Sequence, residues 1–318
     1  MLLSPAYMHI PDGFLSVVLS AILWLVSILG VSYALRRKNR DRDERQVPLM
    51  GVLAAAIFAG QMLNFTVIGG SSGHLMGAAI ATILVGPWAS VLVMTCVLAV
   101  QALIFQDGGL LALGANIFNI GIVGVAVSYM AYRTVKGLSG GRRWGVYAGG
   151  FMAGWLSVEI SALAVGMQLA LSGTSPANIA IPAMGGIHAL IGIGEGLITL
   201  GVLAFIYANR PALVVGGAGQ NSVSKLAWGA GLLLAIGVAV LSPLASTHPD
   251  GLEWVAKQKG FLNLAGGTLY RVIPNYMFPG IANQATATIL AGIVGTLLVF
   301  GVVLGVTYLR RSRGISDN

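Results

Sequence analysis

The first residues able to do chemistry lie near the start of the chain, in the stretch MHIPDGFLS at 8–16. A chain beginning at Met8 offers three nitrogen donors within two residues: the α-amine of Met8, the amide nitrogen of His9 and the His9 imidazole. Together they close adjacent five- and six-membered chelate rings on one ion. Such a planar nitrogen set suits Ni(II) or Cu(II), and imidazole alone also suits Zn(II) or Co(II). A fourth donor has to come from elsewhere. Pro11 stiffens the chain beyond the histidine, and Asp12-Gly13 reads as a turn. A lone histidine in a terminal turn is otherwise an ordinary polar residue at a membrane interface, so the rest of the chain decides its weight.

The seven residues before Met8, MLLSPAY, have no basic region and are too short for a signal peptide. The expectation is that 1–7 is an extension and that Met8 is the initiator, with cleavage after Tyr7 as the alternative.

The elements that position these groups are membrane helices. The chain has 318 residues, 56% hydrophobic and 9% charged, against about 25% charged in a soluble domain. Apolar runs of roughly 20 residues recur, without the alternation of an outer-membrane barrel strand. The expected fold is all-α and polytopic: about seven transmembrane helices plus a two-helix C-terminal module. The expected spans are 14–35, 48–68, a short 74–85 broken by Gly86-Pro87 from 88–105, then 110–132, 144–171, 183–207, 223–244 and 286–309. Cys96, alone in an apolar run, forms no intramolecular disulfide and reads as a buried filler.

The net charge of +8 reads as cytoplasmic loops rather than nucleic-acid binding. With the N-terminus outside and the C-terminus cytoplasmic, 15 of the 18 Lys and Arg residues fall on inner loops and the tail. Only Lys257, Lys259 and Arg271 lie outside, all in the polar loop 245–284. All four histidines, His9, His74, His188 and His248, then fall at or near the outer face. Gly69-Gly70-Ser71-Ser72-Gly73 reads as a small-residue loop able to bend into the outer mouth and carry His74 with it.

Polar residues within the spans have a default role in hydrogen bonding between helices. This covers Gln61, Gln101 and Asn119. Asn64, Ser72, Asp107 and Asn116 are also candidates for orienting His9 or His74. Glu159 and Glu195 are the only acids deep in spans, at matching depths, either bonded to each other or to backbone, or part of an ion path. The Asp250-Gly251 pair reads as a turn, with contact to a metal as the alternative. There is no P-loop and no H-E-x-x-H, and no nucleophile constellation stands out, so little points to an enzyme.

The stretches MHIPDGFLS (8–16), NFTVIGGSSGHLMGAAIATILVGPWASVLVMT (64–95) and QDGGLLALGANIFN (106–119) resemble the CbiM/NikM family. These are the substrate-binding membrane components of energy-coupling factor transporters for cobalt and nickel. The likeness covers about 8–210. Residues 223–309, with SPLASTHPDGLEWVAKQKG at 242–260, resemble the PDGLE/CbiN-like small component, here fused through a linker at 211–222. The resemblance implies metal ligation by the Met8 amine, by the His9 amide and imidazole, and by His74. It implies Ni(II) or Co(II) as transported substrate, with no permanently bound cofactor. The MHIPDG form favours nickel. It also implies a CbiQ/NikQ-like coupling protein and a CbiO/NikO-like cytoplasmic ATPase as partners, in a prokaryotic inner (plasma) membrane. If 1–7 persist, the Met8 nitrogen is an amide and the site is impaired. Two rival readings are a proton-coupled metal transporter working through Glu159 and Glu195, and a non-transporting membrane sensor.

Overall fold

A computed structural model describes residues 8–41, 46–211, 213, 225–267 and 270–314. The expected extension 1–7 lies outside the described residues, as do 212 and 214–222 of the expected linker. The helices are α1 (Val17–Asp41), α2 (Val47–Gln61), α3 (Ala78–Val85), α4 (Pro87–Val100), α5 (Leu113–Asn116), α6 (Val125–Leu138), α7 (Arg143–Leu171), α8 (Ala177–Asn209), α9 (Lys225–Val240), α10 (Gly251–Lys259) and α11 (Gln284–Gly314). A π-helical turn, Gln101–Phe105, continues α4, and a second, Ile117–Gly124, joins α5 to α6.

Six helices among the described residues are long and apolar enough to cross a membrane: Val17–Lys38, Pro87–Phe105, Leu113–Leu138, Arg143–Leu171, Ala177–Asn209 and Gln284–Thr307. Val47–Gln61 and Ala227–Val240 are shorter apolar helices. The all-α polytopic expectation holds. Large apolar side chains such as Val17, Leu25 and Leu29 on α1 and Leu197 and Phe205 on α8 are exposed, as lipid-facing residues are.

Four expected elements differ. The second span stops at Gln61 rather than at residue 68. The small-residue loop is a two-stranded antiparallel hairpin, β1 (Phe65–Val67) with β2 (Ser71–Gly73), in which Thr66 pairs with Ser72. Its tip requires glycine, because Gly69 and Gly70 have φ of +97° and +77°. The third span shrinks to α3, about 12 Å long, because residues 74–77 are neither helix nor strand and left-handed Gly77, φ +80°, stands just before the helix. Finally, Asp250-Gly251 is a helix start rather than a turn. The Asp250 side chain accepts from the Glu253 amide at 3.0 Å and caps α10, which Gly260 closes at φ +79°.

Two packing relationships place the site. The α7–α8 hairpin closes on small residues: a Cβ at Gly154 would stand 3.1 Å from the Glu195 carbonyl oxygen, and one at Gly196 would stand 2.7 Å from the Phe151 ring. The C-terminal helices α9 and α11 pack on α2, where Gly231 faces Val52 and Gly51 faces Phe300. Ile273, Tyr276, Ala291 and Val299 share one apolar core with Phe58 and Phe105, so the C-terminal segment is built into the main helical body.

Candidate metal centre

The N-terminal segment 8–13 is stitched to the loop between the two π-helical turns. Asn116 reads both backbone groups of Ile10: its Oδ1 accepts from the Ile10 amide at 3.0 Å, and its Nδ2 donates to the Ile10 carbonyl at 3.2 Å. The Gly109 amide donates to that same carbonyl at 2.9 Å. Asp12 accepts from the Leu110 amide at 3.1 Å and the Ala112 amide at 2.9 Å. These bonds need bare backbone opposite. A Cβ at Gly109 would overlap Asp12, and one at Gly108, φ +88°, would stand 2.9 Å from His9 Cβ. Gly266, in the loop between α10 and α11, donates to the Asp12 carbonyl at 2.6 Å.

Asp107 lies under the first two residues. Its Oδ1 accepts from the Met8 backbone nitrogen at 2.9 Å, and its Oδ2 stands 3.0 Å from His9 Nδ1. Tyr276 donates its hydroxyl proton to Oδ2 at 2.6 Å. Burial pushes the Asp107 carboxyl up, but His9, the Tyr276 hydrogen bond and His74 outweigh it, and its pKa lies below the ordinary carboxylate value. His9 is 2% exposed, and neither Nδ1 nor Nε2 makes a hydrogen bond, Nδ1 having only the Asp107 carboxylate oxygen beside it. A buried ring nitrogen without a partner is costly, and a metal ion is a partner of the right chemistry.

The other histidine arrives from the hairpin. Glu195 on α8 accepts from the Met76 amide at 2.7 Å and the Gly77 amide at 3.0 Å, and the Met76 carbonyl takes a bond from Gln61 Nε2 at 3.1 Å. Gln101 in turn donates to Gln61 at 2.8 Å. These bonds fix the segment that carries His74. The His9 and His74 rings lie 5.6 Å apart, and His74 Nε2 is 3.3 Å from the Met8 carbonyl oxygen. Burial, and then His9, lower the His74 pKa below its ordinary value, so the ring is a neutral donor at pH 7.

Both rings open onto a cavity of ≈ 70 Å³ whose lining includes Met8, Asn116, Asn119, Met184, His188 and Asp250. Asp250 Oδ2 lies 3.7 Å from His74 Nε2. Burial raises the Asp250 pKa well above the ordinary value. His188 Nδ1 bonds the Met184 carbonyl at 2.8 Å. Among the described residues no group of three or more His, Cys, Asp or Glu side chains is arranged to hold a metal ion. An ion here would therefore need donors beyond those side chains, and Met8, Asn116, Asn119 and Met184 line the same cavity.

The family comparisons agree with this architecture. Residues 9–213 match the family model CbiM, described as a cobalt uptake substrate-specific transmembrane region, and residues 225–312 match the PDGLE domain. The chain belongs to the CbiM family. It is a multi-pass membrane protein of that family with a PDGLE domain behind the CbiM region. It is 37% identical over 308 residues to a putative fused nickel transport protein NikMN of Archaeoglobus fulgidus, covering 96% of this chain and all of that one. It is 32% identical to a cobalt transport protein CbiM of Sorangium cellulosum, covering 65% of this chain and 94% of that one. A crystal structure of a truncated transition metal transporter is 33% identical, with a TM-score of 0.57 over 63% of this chain and 99% of that one.

Of the sequence candidates, Met8, His9, His74, Asp107 and Asn116 converge in this CbiM-family chain. Ser72 acts at one remove: its amide donates to the Pro249 carbonyl at 2.8 Å and its hydroxyl to the His248 carbonyl at 2.9 Å, which sets Asp250 beside His74. Asn64 does not line the cavity; its carbonyl holds the Ser246 amide at 2.8 Å instead. Glu195 bonds backbone amides and not Glu159, whose Oε2 is buried without a partner outside the cavity. His248 is likewise outside, bonded to Ser246 at 3.1 Å. Sequence reading gave no site role to Asp12 or Tyr276. The D of MHIPDG was the one available signal, since an acid beside the histidine can serve the fold as well as a turn.

Proposed function

We propose that this chain is the substrate-binding membrane component of an ATP-driven energy-coupling factor importer for transition-metal dications, with Ni(II) preferred over Co(II). The observation that carries the reading is the meeting of His9 and His74, rings 5.6 Å apart with His74 Nε2 beside the Met8 carbonyl, over one cavity. The Met8 amine, the His9 amide and His9 Nδ1 form the chelate, and His74 Nε2 is the fourth donor. Nδ1 is required because the rigid ring points Nε2 away from a metal already held by the preceding amide. The planar four-nitrogen set favours Ni(II). The fused nickel transport protein among the relatives supports the same preference.

Residues 8–210 form the metal-binding domain, 211–222 the linker and 223–318 the promoting module. The N-terminus and the loop 245–284 face outside, where the ion arrives, and the C-terminus is cytoplasmic. A CbiQ/NikQ-like coupling protein and a CbiO/NikO-like ATPase supply the energy. The chelate needs a free amine, so the active chain begins at Met8. Glu195 is spent on backbone amides, which weighs against the proton-coupled rival.

The test is metal binding by the chain from Met8, beside the 318-residue form and a His74→Ala variant, with coordination read by absorption spectroscopy. Tight Ni(II) binding by the Met8 form alone is expected. Equal binding by all three would remove the amine and His74 from the site.

A further inference from the structure

Tyr276 lies 169 residues from Asp107 in sequence, inside the PDGLE domain, yet its hydroxyl makes the 2.6 Å bond to Asp107 Oδ2. Three contacts deliver the preceding segment to this point. Tyr270 donates to the Leu103 carbonyl at 2.8 Å, the Val272 amide to Gln106 Oε1 at 3.3 Å, and the Ile273 amide to the Ile104 carbonyl at 2.9 Å. All three partners lie on the π-helical turn or on the residue that ends it. Asn275 and Tyr276 then both take left-handed backbone, φ 54° and 55°, which non-glycine residues adopt only when the surroundings impose it. The Tyr276 ring stacks on Phe105 at 4.9 Å and 16°. Phenylalanine would fill that stack equally well, so packing leaves the hydroxyl unexplained.

Oδ2 is shared: it faces both the Tyr276 hydroxyl and His9 Nδ1. Nδ1 is the nitrogen that the chelate requires. When it turns to a metal it leaves Oδ2, and a carboxylate oxygen that is buried with Asp107 would be stranded without another donor. We propose that Tyr276 is a positioning residue for metal capture, holding Asp107 Oδ2 so that His9 Nδ1 can exchange the carboxylate for the ion. The inference rests on the metal-binding reading above. Oδ1 meanwhile stays on the Met8 nitrogen, which as a coordinated amine still has protons to donate. Without the hydroxyl, Oδ2 has only His9, so the metal-free state grips the ligand harder and the loaded state strands an anion. Both effects weaken binding. In this way the PDGLE domain acts on a ligand that it does not touch.

The experiment measures Ni(II) affinity of the chain from Met8 to Asn318 in nanodiscs, by competition with a chromophoric chelator. It compares the native chain, Tyr276→Phe, Asp107→Asn and the double variant, with thermal unfolding of each metal-free protein alongside. The expected result is an about tenfold loss for Tyr276→Phe with an unchanged unfolding midpoint, and no further loss when the change is added to Asp107→Asn. Native affinity in Tyr276→Phe, or losses that multiply in the double variant, would overturn the inference alone. Absence of Ni(II) and Co(II) binding in the native chain would overturn the metal reading itself, and this inference with it.

Discussion

Asp107 Oδ2 and His9 Nδ1 stand 3.0 Å apart in a pocket where both side chains are almost fully buried. One carboxylate thus engages two would-be donors, since its other oxygen accepts from the Met8 nitrogen. Asp107→Asn keeps the shape and removes the charge that faces an incoming dication. Ni(II) affinity should fall by about 10–100-fold, the range found for partners that orient metal ligands. Isothermal titration checks this, and unchanged affinity would mean that the carboxylate is only structural.

Glu195 and Glu159 share a depth but not a role. Glu195→Gln replaces one of two acceptors under the His74 segment with a donor. Stability should drop by about 1–3 kcal/mol, with weaker Ni(II) binding. Glu159→Gln, outside the cavity, should leave Ni(II) affinity native. Metal titration with thermal unfolding reads both, and a transport defect confined to Glu159→Gln would revive the proton-coupled alternative.

Gly109 lies so close to Asp12 that a Cβ there would overlap it. Gly109→Ala has no room unless Asp12 moves, which breaks its bonds to the Leu110 and Ala112 amides. Binding should be lost while far-UV circular dichroism stays helical. Native affinity in this variant would show that the Asp12 anchor is dispensable.

Acid should weaken metal binding. The Met8 amine, with an ordinary pKa of about 8, and the His9 amide must both lose a proton to the ion, so affinity rises with pH across 5 to 8. His74 does not add to the slope near neutrality, because burial holds its pKa below the ordinary 6.5. Uptake equally fast at pH 5 and pH 7.5 would contradict the amine chelate.

Asp250 runs the other way for stability. Its folded pKa is raised by burial above the ordinary 3.8, so the folded state holds the proton more tightly than the unfolded one. Its stabilisation is present below the ordinary value and is lost as pH rises through the raised one. Asp250→Asn keeps a capping side chain without a charge to bury, so its unfolding midpoint should fall less across that window. Parallel slopes for variant and native chain would rule out this titration as a source of pH sensitivity.

Local sequence determined the helical membrane body and the candidate ligands. Runs of apolar residues about 20 long have no other way to satisfy their backbone in lipid, and an amine, an amide and an imidazole on adjacent residues are chelating wherever they sit. The short third helix was half legible: Gly86-Pro87 marks its end, but the left-handed Gly77 that delays its start shows only in three dimensions. The hairpin at 65–73 was hidden because three-residue strands carry too little pattern to register. What tertiary structure alone decided is the company that the candidate ligands keep. Asp107, Asn116 and Asp12 act through partners about 100 residues away, and Tyr276 through one still farther. A tyrosine in a polar loop and an aspartate in a turn look the same whether or not they meet. Packing of the C-terminal helices on α2 brings the loop that carries Tyr276 against Asp107, and no local spacing encodes that contact.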